Sequence, residues 1–236
     1  MTEENPYAPP VETADAPAAA AALPYDATYE PGGGRATVSI VMLYIAALVE
    51  LINIAGAAYI HVMMGRVSAG QIFTPADVTT VTVVETGSAV LTLLVRAACA
   101  IPFCMWFYRV YKNLRAFGHV TAYGPGWAPG SFFVPFLNLV RPFQIAREIW
   151  VASPAEYDAR SGLVSLWWAF FIGSGIIGYI AGKIGGSDPS ASSVQTMEIV
   201  SIISSLLSLG AAIACVQMVK GIEQRQADRA RQLAAG

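Results

Sequence analysis

Two ionisable residues, Glu50 and Arg96, lie within long apolar segments of this sequence, where a charge has its largest effect. An ionised side chain at the centre of a membrane helix costs roughly 2.5 to 3.5 kcal/mol on insertion scales, so each residue requires a partner. Glu50 lies 13 residues after Thr37, and Arg96 lies 13 residues before Arg109. At a helical rise of about 1.5 Å per residue, both side chains lie ~20 Å from the same membrane surface. The sequence therefore predicts an ion pair between Glu50 and Arg96.

The same register predicts a second pair. His61 lies 11 residues after Glu50, and Glu85 lies 11 residues before Arg96, so an antiparallel hairpin that joins the first pair also joins His61 with Glu85. Two functions fit this arrangement: a proton or ion relay, which Asn53 extends from one turn beyond Glu50, and a lock that fixes how the helices pair. The lock is favoured, because the sequence shows no obvious water-filled route across a membrane.

No pattern typical of an enzyme accompanies these residues. The G-x-S-x-G, H-E-x-x-H, phosphate-loop and dinucleotide motifs are missing from the sequence. The two histidines, His61 and His119, are too few and too isolated for a zinc site, and the cysteines, Cys99, Cys104 and Cys215, lie in apolar segments without a C-x-x-C pair. We therefore predict no enzyme activity, no catalytic residue, no metal and no cofactor.

Membrane-spanning helices are the elements that must position the charged residues. Hydrophobic residues make up 55% of the chain and charged residues only 13%, a balance typical of chains that use lipid as solvent. Four apolar runs reach the ~20 residues needed to cross a bilayer: residues 37–62, 83–108, 163–182 and 197–219. The sequence predicts an all-α integral membrane four-helix bundle over residues 37–220, with loops over residues 63–82 and 182–196.

The two ends of the chain differ in composition from this membrane domain. Residues 1–36 are rich in Pro, Ala and Gly and carry six acids against Arg35, which predicts a disordered acidic tail. Residues 221–236 are predicted to be the end of a C-terminal helix. The rest of the chain has a net charge of only +3, which argues against a nucleic-acid partner.

The distribution of cations predicts the orientation in the membrane. Only Arg66 and Lys183 lie in the first and third connections, whereas eleven cations lie elsewhere outside the spans. These are Arg109, Lys112, Arg115, Arg141, Arg147 and Arg160 in the central connection, Lys220, Arg225, Arg229 and Arg231 near the C-terminus, and Arg35 before the first span. We predict a bacterial inner-membrane protein with both termini in the cytoplasm. Residues 109–162, called the collar from here on, are predicted to be cytoplasmic.

The collar is predicted to lie at the membrane surface. Fourteen mostly apolar residues, 127–140, are interrupted by prolines, and as one helix they reach only ~21 Å, so they lie in the interface or dip in and return. Pro142 is placed to open an amphipathic helix after them. The aromatic residues 106–108 and Tyr111 are predicted to form an interfacial belt, with Arg109 reaching lipid phosphates.

The collar has two interpretations: a structural element that packs the helix ends, which is favoured, or a groove that binds lipid or a partner helix. The candidate binding residues are Trp106, Arg109, Asn113, Trp127, Pro135, Asn138, Arg141, Pro142, Glu148 and Trp150. Gly178 and Gly182 form a G-x-x-x-G pair in the third span, suited to close packing within one chain or to self-association. Ser201, Ser205 and Ser208 form a stripe that can hydrogen-bond across this contact.

Four motifs follow one another in and after the second span. They are W-F-Y-R-x-x-x-N-L (106–114), P-G-W (125–127), F-F-V-P-F-x-N-L-V-R-P-F-Q (132–144) and R-E-I-W (147–150), followed by W-W-A from Trp167. In these motifs the chain resembles the bacterial membrane family catalogued as domain of unknown function 4328, from about Val83 into the third span. Ser131 stands where family members usually carry an aromatic residue. The resemblance implies a bacterial inner-membrane fold and no activity.

Together these patterns favour a non-enzymatic membrane protein that serves assembly or contacts lipid or a partner through its collar. The alternative is a small transporter or channel component that uses Glu50, Arg96 and Asn53.

Overall fold

The computed structural model describes residues 28–156, 161–187 and 190–235, and these residues are helical, with no strand among them. The helices are α1 (Gly33–Ser68), α2 (Pro75–Ala116), the single turn α3 (Trp127–Gly130), α4 (Arg141–Ala152), α5 (Gly162–Ser187) and α6 (Ala191–Ala235). A 3-10 turn, Leu137–Leu139, precedes α4. α1, α2, α5 and α6 are each long and apolar enough to cross a membrane. The prediction of an all-α membrane bundle with four spans is confirmed.

The helices are longer than the predicted spans, and the loop predicted over residues 63–82 is wrong except for residues 69–74. α1 continues to Ser68, and α2 begins at Pro75. Thr74 caps α2, since its hydroxyl accepts from the Asp77 backbone N–H while Asp77 accepts from the Thr74 backbone N–H at 2.9 Å. Proline at the first helical position and a capping box both start a helix, so these residues mark a helix start rather than a loop.

The predicted turn over residues 182–196 is also mostly helical. α5 passes through Gly182 and ends at Ser187, and α6 begins at Ala191. α6 then continues without a break to Ala235, so the predicted helix end over residues 221–236 is an extension of the fourth span.

Residues 28–36 are ordered against the bundle, so the predicted disordered tail does not extend to residue 36. Residues 1–27 of that predicted tail lie outside the described residues. The Tyr29 ring stacks on Phe117 with centroids 5.4 Å apart, and the Glu30 backbone exchanges two hydrogen bonds with the Asn113 side chain. Burial and the nearby Glu223 carboxylate both raise the pKa of the Tyr29 phenol. The segment before α1 is therefore held against the collar.

The long helices pack unevenly. α6 packs along both α1 and α5, and α1 also packs along α2, whereas α2 and α6 make few contacts. The core lies at one end of the bundle, called the collar end, where α3, α4 and the second half of α6 surround the end of α2. Its fully buried side chains include Trp106, Phe107, Tyr111, Leu114, Ile145, Ile149, Met218 and Ile222. Away from this end, the spans expose apolar side chains on their outer faces, as lipid contact requires.

Candidate functional site

The structure brings Glu50 and Arg96 together within the membrane-spanning part. Arg96 Nη2 donates to Glu50 Oε1 at 3.0 Å and to the Ser208 hydroxyl of α6 at 3.3 Å. Asn53 Nδ2 donates to Glu50 Oε2 at 3.3 Å and to the Thr92 hydroxyl at 3.0 Å. These five residues, the intramembrane polar cluster, join α1, α2 and α6. The contact with Ser208 is an addition that the spacing of charges did not predict.

The two charged members of the cluster differ in burial. The Glu50 side chain is 8% exposed, whereas the Arg96 side chain is 61% exposed. Between the cluster and the collar end, the side chains that α1 and α6 bury are mainly small or apolar: Ser39, Leu43, Val49, Ala211, Ala212, Ala214 and Cys215. The hydroxyl of Ser39 donates to the carbonyl of its own helix. Among the described residues, the cluster is therefore a local clamp on three helices that does not continue as a chain of polar side chains toward the collar end.

The structure does not bring His61 and Glu85 together, so the predicted second pair is corrected. His61 Nδ1 lies 3.1 Å from the Gln195 carbonyl of α6, and Gln195 Nε2 donates to the His61 carbonyl at 3.4 Å. Glu85 lies near the buried Glu198 of α6 instead. The reason is that α6 extends along α1 and supplies partners at this level, which a two-helix register leaves out.

The predicted aromatic belt is mostly core. Trp106, Phe107 and Tyr111 are fully buried, because α4 and the second half of α6 cover this end of α2. The indole N–H of Trp106 donates to Glu223 Oε1 at 2.8 Å, so its polar atom is also satisfied inside the protein. Tyr108 alone of the belt residues stays at the surface. The prediction of lipid contact is therefore wrong for Trp106.

Asn113 and Gln226 tie four segments of the collar end together. Asn113 Nδ2 donates to Gln226 Oε1 at 2.9 Å and to the Glu30 carbonyl at 2.8 Å. Gln226 Nε2 donates to the Val110 carbonyl at 2.9 Å and to the Ser153 hydroxyl at 3.1 Å. Asn113 is one of the candidate binding residues, and the structure gives its amide a long-range structural role inside the protein. Gln226 was missed, because the polar sequence around it is typical of an exposed helix end.

Glu148 holds the connection between α2 and α3. Its carboxylate accepts from the Tyr111 hydroxyl at 2.8 Å and from the Ala122 backbone N–H at 2.9 Å, and it lies 3.1 Å from His119 Nε2. The Tyr111 hydroxyl in turn accepts from the Tyr123 backbone N–H. These bonds stay inside the protein, which supports a structural role for Glu148.

Two arginines of α6 close the end of α4. Arg225 lies over the Trp150 ring, 4.0 Å from its centroid, and Arg229 donates to the carbonyls of Ala152 and Pro154 at 2.7 and 3.0 Å. The last carbonyls of a helix have no partner within it, so a guanidinium is a suitable cap. At the other end of α4, the buried Pro142 lies in the first turn as predicted. Trp150 and Pro142 are thus parts of a rigid support.

The segment 131–140 is the most exposed apolar part of the collar. The side chains of Phe133 and Phe136 are 72% and 84% exposed. The chain is turned here by Phe136, whose φ of 64° is unusual for an aromatic residue, and by the exposed Pro135. The Asn138 backbone N–H donates to the Val134 carbonyl at 3.0 Å. This segment, called the collar loop from here on, is a series of tight turns and not one helix.

Contacts with α2 and α5 fix the position of the collar loop relative to the predicted spans. Phe132 packs edge-on against Phe103 at 6.0 Å, and Trp168 Nε1 donates to the Leu139 carbonyl at 3.2 Å. Phe103 lies five residues before residue 108 and Trp168 five residues after residue 163, the predicted limits of the second and third spans. Five helical residues correspond to ~8 Å. Both ends of the collar loop therefore lie inside the level where the apolar spans begin.

Trp127 and Arg141 form a surface stack beside the collar loop. The Arg141 guanidinium lies 4.4 Å from the centroid of the Tyr123 ring and 4.8 Å from that of the Trp127 ring. Trp127 is partly exposed. A cation held between two rings is a preorganised surface for polar or charged groups at a membrane interface.

A pocket of about 380 Å³ opens between the start of α1, the end of the second span and α3. Its lining residues are Arg35, Cys104, Met105, Tyr108, Arg109 and Pro129. Arg109 also forms an ion pair with Glu30, with Nη1 2.6 Å from Oε2. This pocket, called the arginine pocket from here on, combines two cations with an apolar wall.

The two glycines of the G-x-x-x-G pair face different surroundings. A Cβ on Gly178 would lie 3.1 Å from the Ser204 hydroxyl of α6, whereas a Cβ on Gly182 would meet open space. Ser204 donates to the Ser174 carbonyl of α5 at 2.9 Å. Gly178 therefore serves packing within the chain, and the hydrogen bond across this contact comes from Ser204 rather than from the predicted serine stripe.

The model of the family described as "Domain of unknown function (DUF4328)" matches residues 70–224. The match covers α2, the collar, α5 and most of α6, and the predicted resemblance is confirmed. No curated protein and no solved structure matches the chain.

Proposed function

We propose a function from geometry alone, because the chain belongs to the family of domains of unknown function DUF4328, whose description assigns no activity. In this proposal the chain is a non-enzymatic assembly or interaction protein of the bacterial inner membrane. Its collar binds membrane lipid and so presents a fixed surface to other membrane proteins. The collar and both termini lie in the cytoplasm, which the concentration of arginines and lysines at the collar end supports.

The observation that carries this proposal is an apolar collar loop on a rigid support. The exposed Phe133 and Phe136 lie between Phe132 and Leu139, whose contacts with α2 and α5 hold them inside the apolar level. Phenylalanine side chains at this depth contact lipid acyl chains and the glycerol region rather than water. The collar core beneath the loop is buried and internally hydrogen-bonded, so the position of the loop does not depend on a partner.

Depth measurement by spin labelling tests the position of the collar loop. Nitroxide labels at positions 133 and 136, in a chain whose Cys99, Cys104 and Cys215 are changed to alanine, are compared in lipid vesicles. We expect oxygen collisions to exceed collisions with a water-soluble nickel chelate at both positions. Labels at Gln144 and Arg147, exposed on α4, are the controls and should show the reverse. A nickel preference at 133 and 136 would overturn the proposal.

Lipid retention tests the binding function itself. The double variant F133S/F136S is purified in mild detergent beside the wild type, and phospholipid per protein is measured together with any co-purifying protein. We expect the variant to retain less phospholipid than the wild type, as we expect for changes of Trp127 or Arg141, and Gln144→Ala to retain the wild-type amount. Equal phospholipid retention by the wild type and all of these variants would show that the collar does not hold lipid.

The intramembrane polar cluster favours a second candidate, a small transporter or channel component. Glu50, Asn53 and Arg96 form hydrogen bonds in the membrane-spanning part, as a relay requires. Reconstituted protein would then give a pH-dependent ion flux that Glu50→Gln abolishes. This candidate ranks second, since the side chains buried between the cluster and the collar end are mainly small or apolar. Flux from the wild type and none from Glu50→Gln would reverse this order.

A further inference from the structure

We propose that the arginine pocket binds the phosphate of an anionic phospholipid from the leaflet at the collar end. This inference rests on the proposed function and deepens it, because it names the lipid class and the residues that select it. The collar loop supplies apolar contact to any lipid, whereas the arginine pocket distinguishes lipids by charge.

The charge of the pocket favours an anion. Two arginine residues, Arg35 and Arg109, are among its lining residues, and Glu30 is the carboxylate in contact with Arg109. Within residues 28–156, 161–187 and 190–235, the Arg35 side chain forms no hydrogen bond or ion pair. These three groups together have a net charge of +1, so the pocket attracts an anion while Glu30 stays in place.

Arg109 is directed at the protein and not at bulk water. Its side chain is only 13% exposed, and its Nε has no hydrogen-bond partner among the residues that the structure describes. A buried donor without an acceptor is costly, and a phosphate oxygen is the acceptor that a guanidinium binds best. Arg109 therefore has a buried Nε donor that the described residues leave unsatisfied, beside the half-buried Arg35.

The other wall of the pocket is apolar and leads into the membrane. Cys104 and Met105 lie one helical turn nearer the centre of the second span than Tyr108 and Arg109. Pro129 of α3 adds a further apolar side chain to the lining. Met105 is exposed on the lipid-facing side of α2. A free phosphate ion uses only the cationic end of such a pocket, whereas a phospholipid fills both ends. The volume of about 380 Å³ suits a phosphoglycerol headgroup whose acyl chains continue outside along α2.

The depth of the pocket agrees with this occupant. Arg109 lies 13 residues along α2 from Arg96, so the pocket is ~20 Å from the intramembrane polar cluster toward the collar end. Lipid phosphates lie just outside the hydrocarbon core, which is about 30 Å thick. Arg109 directly follows the predicted second span and Arg35 lies two residues before the predicted first span, so both arginines lie at the collar-end limit of the predicted spans.

Native mass spectrometry of the full chain in mild detergent tests the inference with three probes: phosphatidylglycerol, phosphatidylcholine and inorganic phosphate. We expect the wild type to bind phosphatidylglycerol more tightly than the other two. Arg35→Gln and Arg109→Gln should each weaken phosphatidylglycerol binding about tenfold, as expected for the loss of one charge-assisted hydrogen bond. Glu30→Gln should strengthen it, because the competing carboxylate is removed. Arg147→Gln, which removes an exposed cation elsewhere on the collar, is the matched control and should have little effect.

Each outcome decides the inference. Equal binding of phosphatidylglycerol and phosphatidylcholine, equal effects of Arg35→Gln and Arg147→Gln, or inorganic phosphate binding as tightly as phosphatidylglycerol would overturn it. If Arg109→Gln does not fold, the other two variants still test the inference, because Arg35→Gln should weaken phosphatidylglycerol binding and Glu30→Gln should strengthen it. A collar loop that stays in the bilayer while charge preference is lost would refute the pocket alone. A loop that lies in water would refute the proposed function.

Discussion

We predict that removing Arg96 from the ion pair with Glu50 destabilises the protein more than removing Glu50. Arg96→Gln leaves the Glu50 carboxylate, 8% exposed, between helices without its cation. Removing one partner from a buried pair costs about 3 kcal/mol or more. Glu50→Gln leaves Arg96, which is 61% exposed. This second variant therefore has a side chain that is free to move.

The direction of α2 makes that movement favourable. Side chains on a helix tilt toward its N-terminus, and α2 begins at the end of the bundle opposite the collar. Arg96 lies ~20 Å from the collar-end surface of a hydrocarbon core about 30 Å thick, so the other surface is ~10 Å away. A long guanidinium side chain extends over much of this distance and reaches water. We expect Glu50→Gln to cost about 1 kcal/mol, the net value of one hydrogen bond.

The assay is reversible unfolding in mixed micelles, with the free energy of unfolding measured for wild type, Arg96→Gln, Glu50→Gln and the double variant. We expect Arg96→Gln to be the less stable single variant by about 2 kcal/mol, the difference between the two costs above. The double variant should be more stable than Arg96→Gln, because the stranded carboxylate is gone. Equal free energies of unfolding for the two single variants, or a lower one for Glu50→Gln, would refute the argument that Glu50 is the buried partner. The exchange Glu50→Arg with Arg96→Glu should restore expression lost in either single change.

Two further predictions concern structural contacts. Gln226→Leu should destabilise the chain by about 2 kcal/mol in the same assay, because it leaves the buried Asn113 amide without one acceptor. Gln224→Leu, on the exposed face of α6, is the control and should have little effect. Equal losses of stability in the two variants would contradict the hydrogen-bond network. Thr74→Ala should accelerate hydrogen exchange of the first-turn amides of α2, since the cap is removed, and Thr79→Ala should leave these amides unchanged. Unchanged exchange in Thr74→Ala would count against the cap.

The sequence predicted what depends on composition and on the helical rise. Apolar runs longer than a bilayer identified four spans, and counting residues from the cations placed Glu50 level with Arg96. Pro142 was placed correctly in the first turn of α4, because the N–H that proline lacks has no partner within the helix at that position. These features follow from one segment, or from two segments in a simple register.

The features that the sequence did not predict depend on segments far apart in the chain. Trp106 has the composition of an interfacial residue, and only the position of α4 and α6 buries it. His61 met α6 instead of Glu85, because a register between two helices contains no third helix. Gln226 and Glu30 lie in segments whose polarity indicates solvent exposure, and their partner Asn113 is more than 80 residues away from each. The start of α2 could have been predicted from the sequence, because Thr74 and Asp77 form a local capping signal. The turn-forming residues around them led instead to the prediction of a loop.

The closure of the α2 aromatic core by α6 has a consequence for synthesis. Among the described helices α6 is the last to leave the ribosome, so α1, α2 and α5 insert while the Trp106 indole still lacks Glu223 and Asn113 still lacks Gln226. Until then, an unfinished chain presents a large aromatic surface and open amide groups at the membrane boundary. We expect membrane proteases and chaperones that recognise such surfaces to act before the second half of α6 docks.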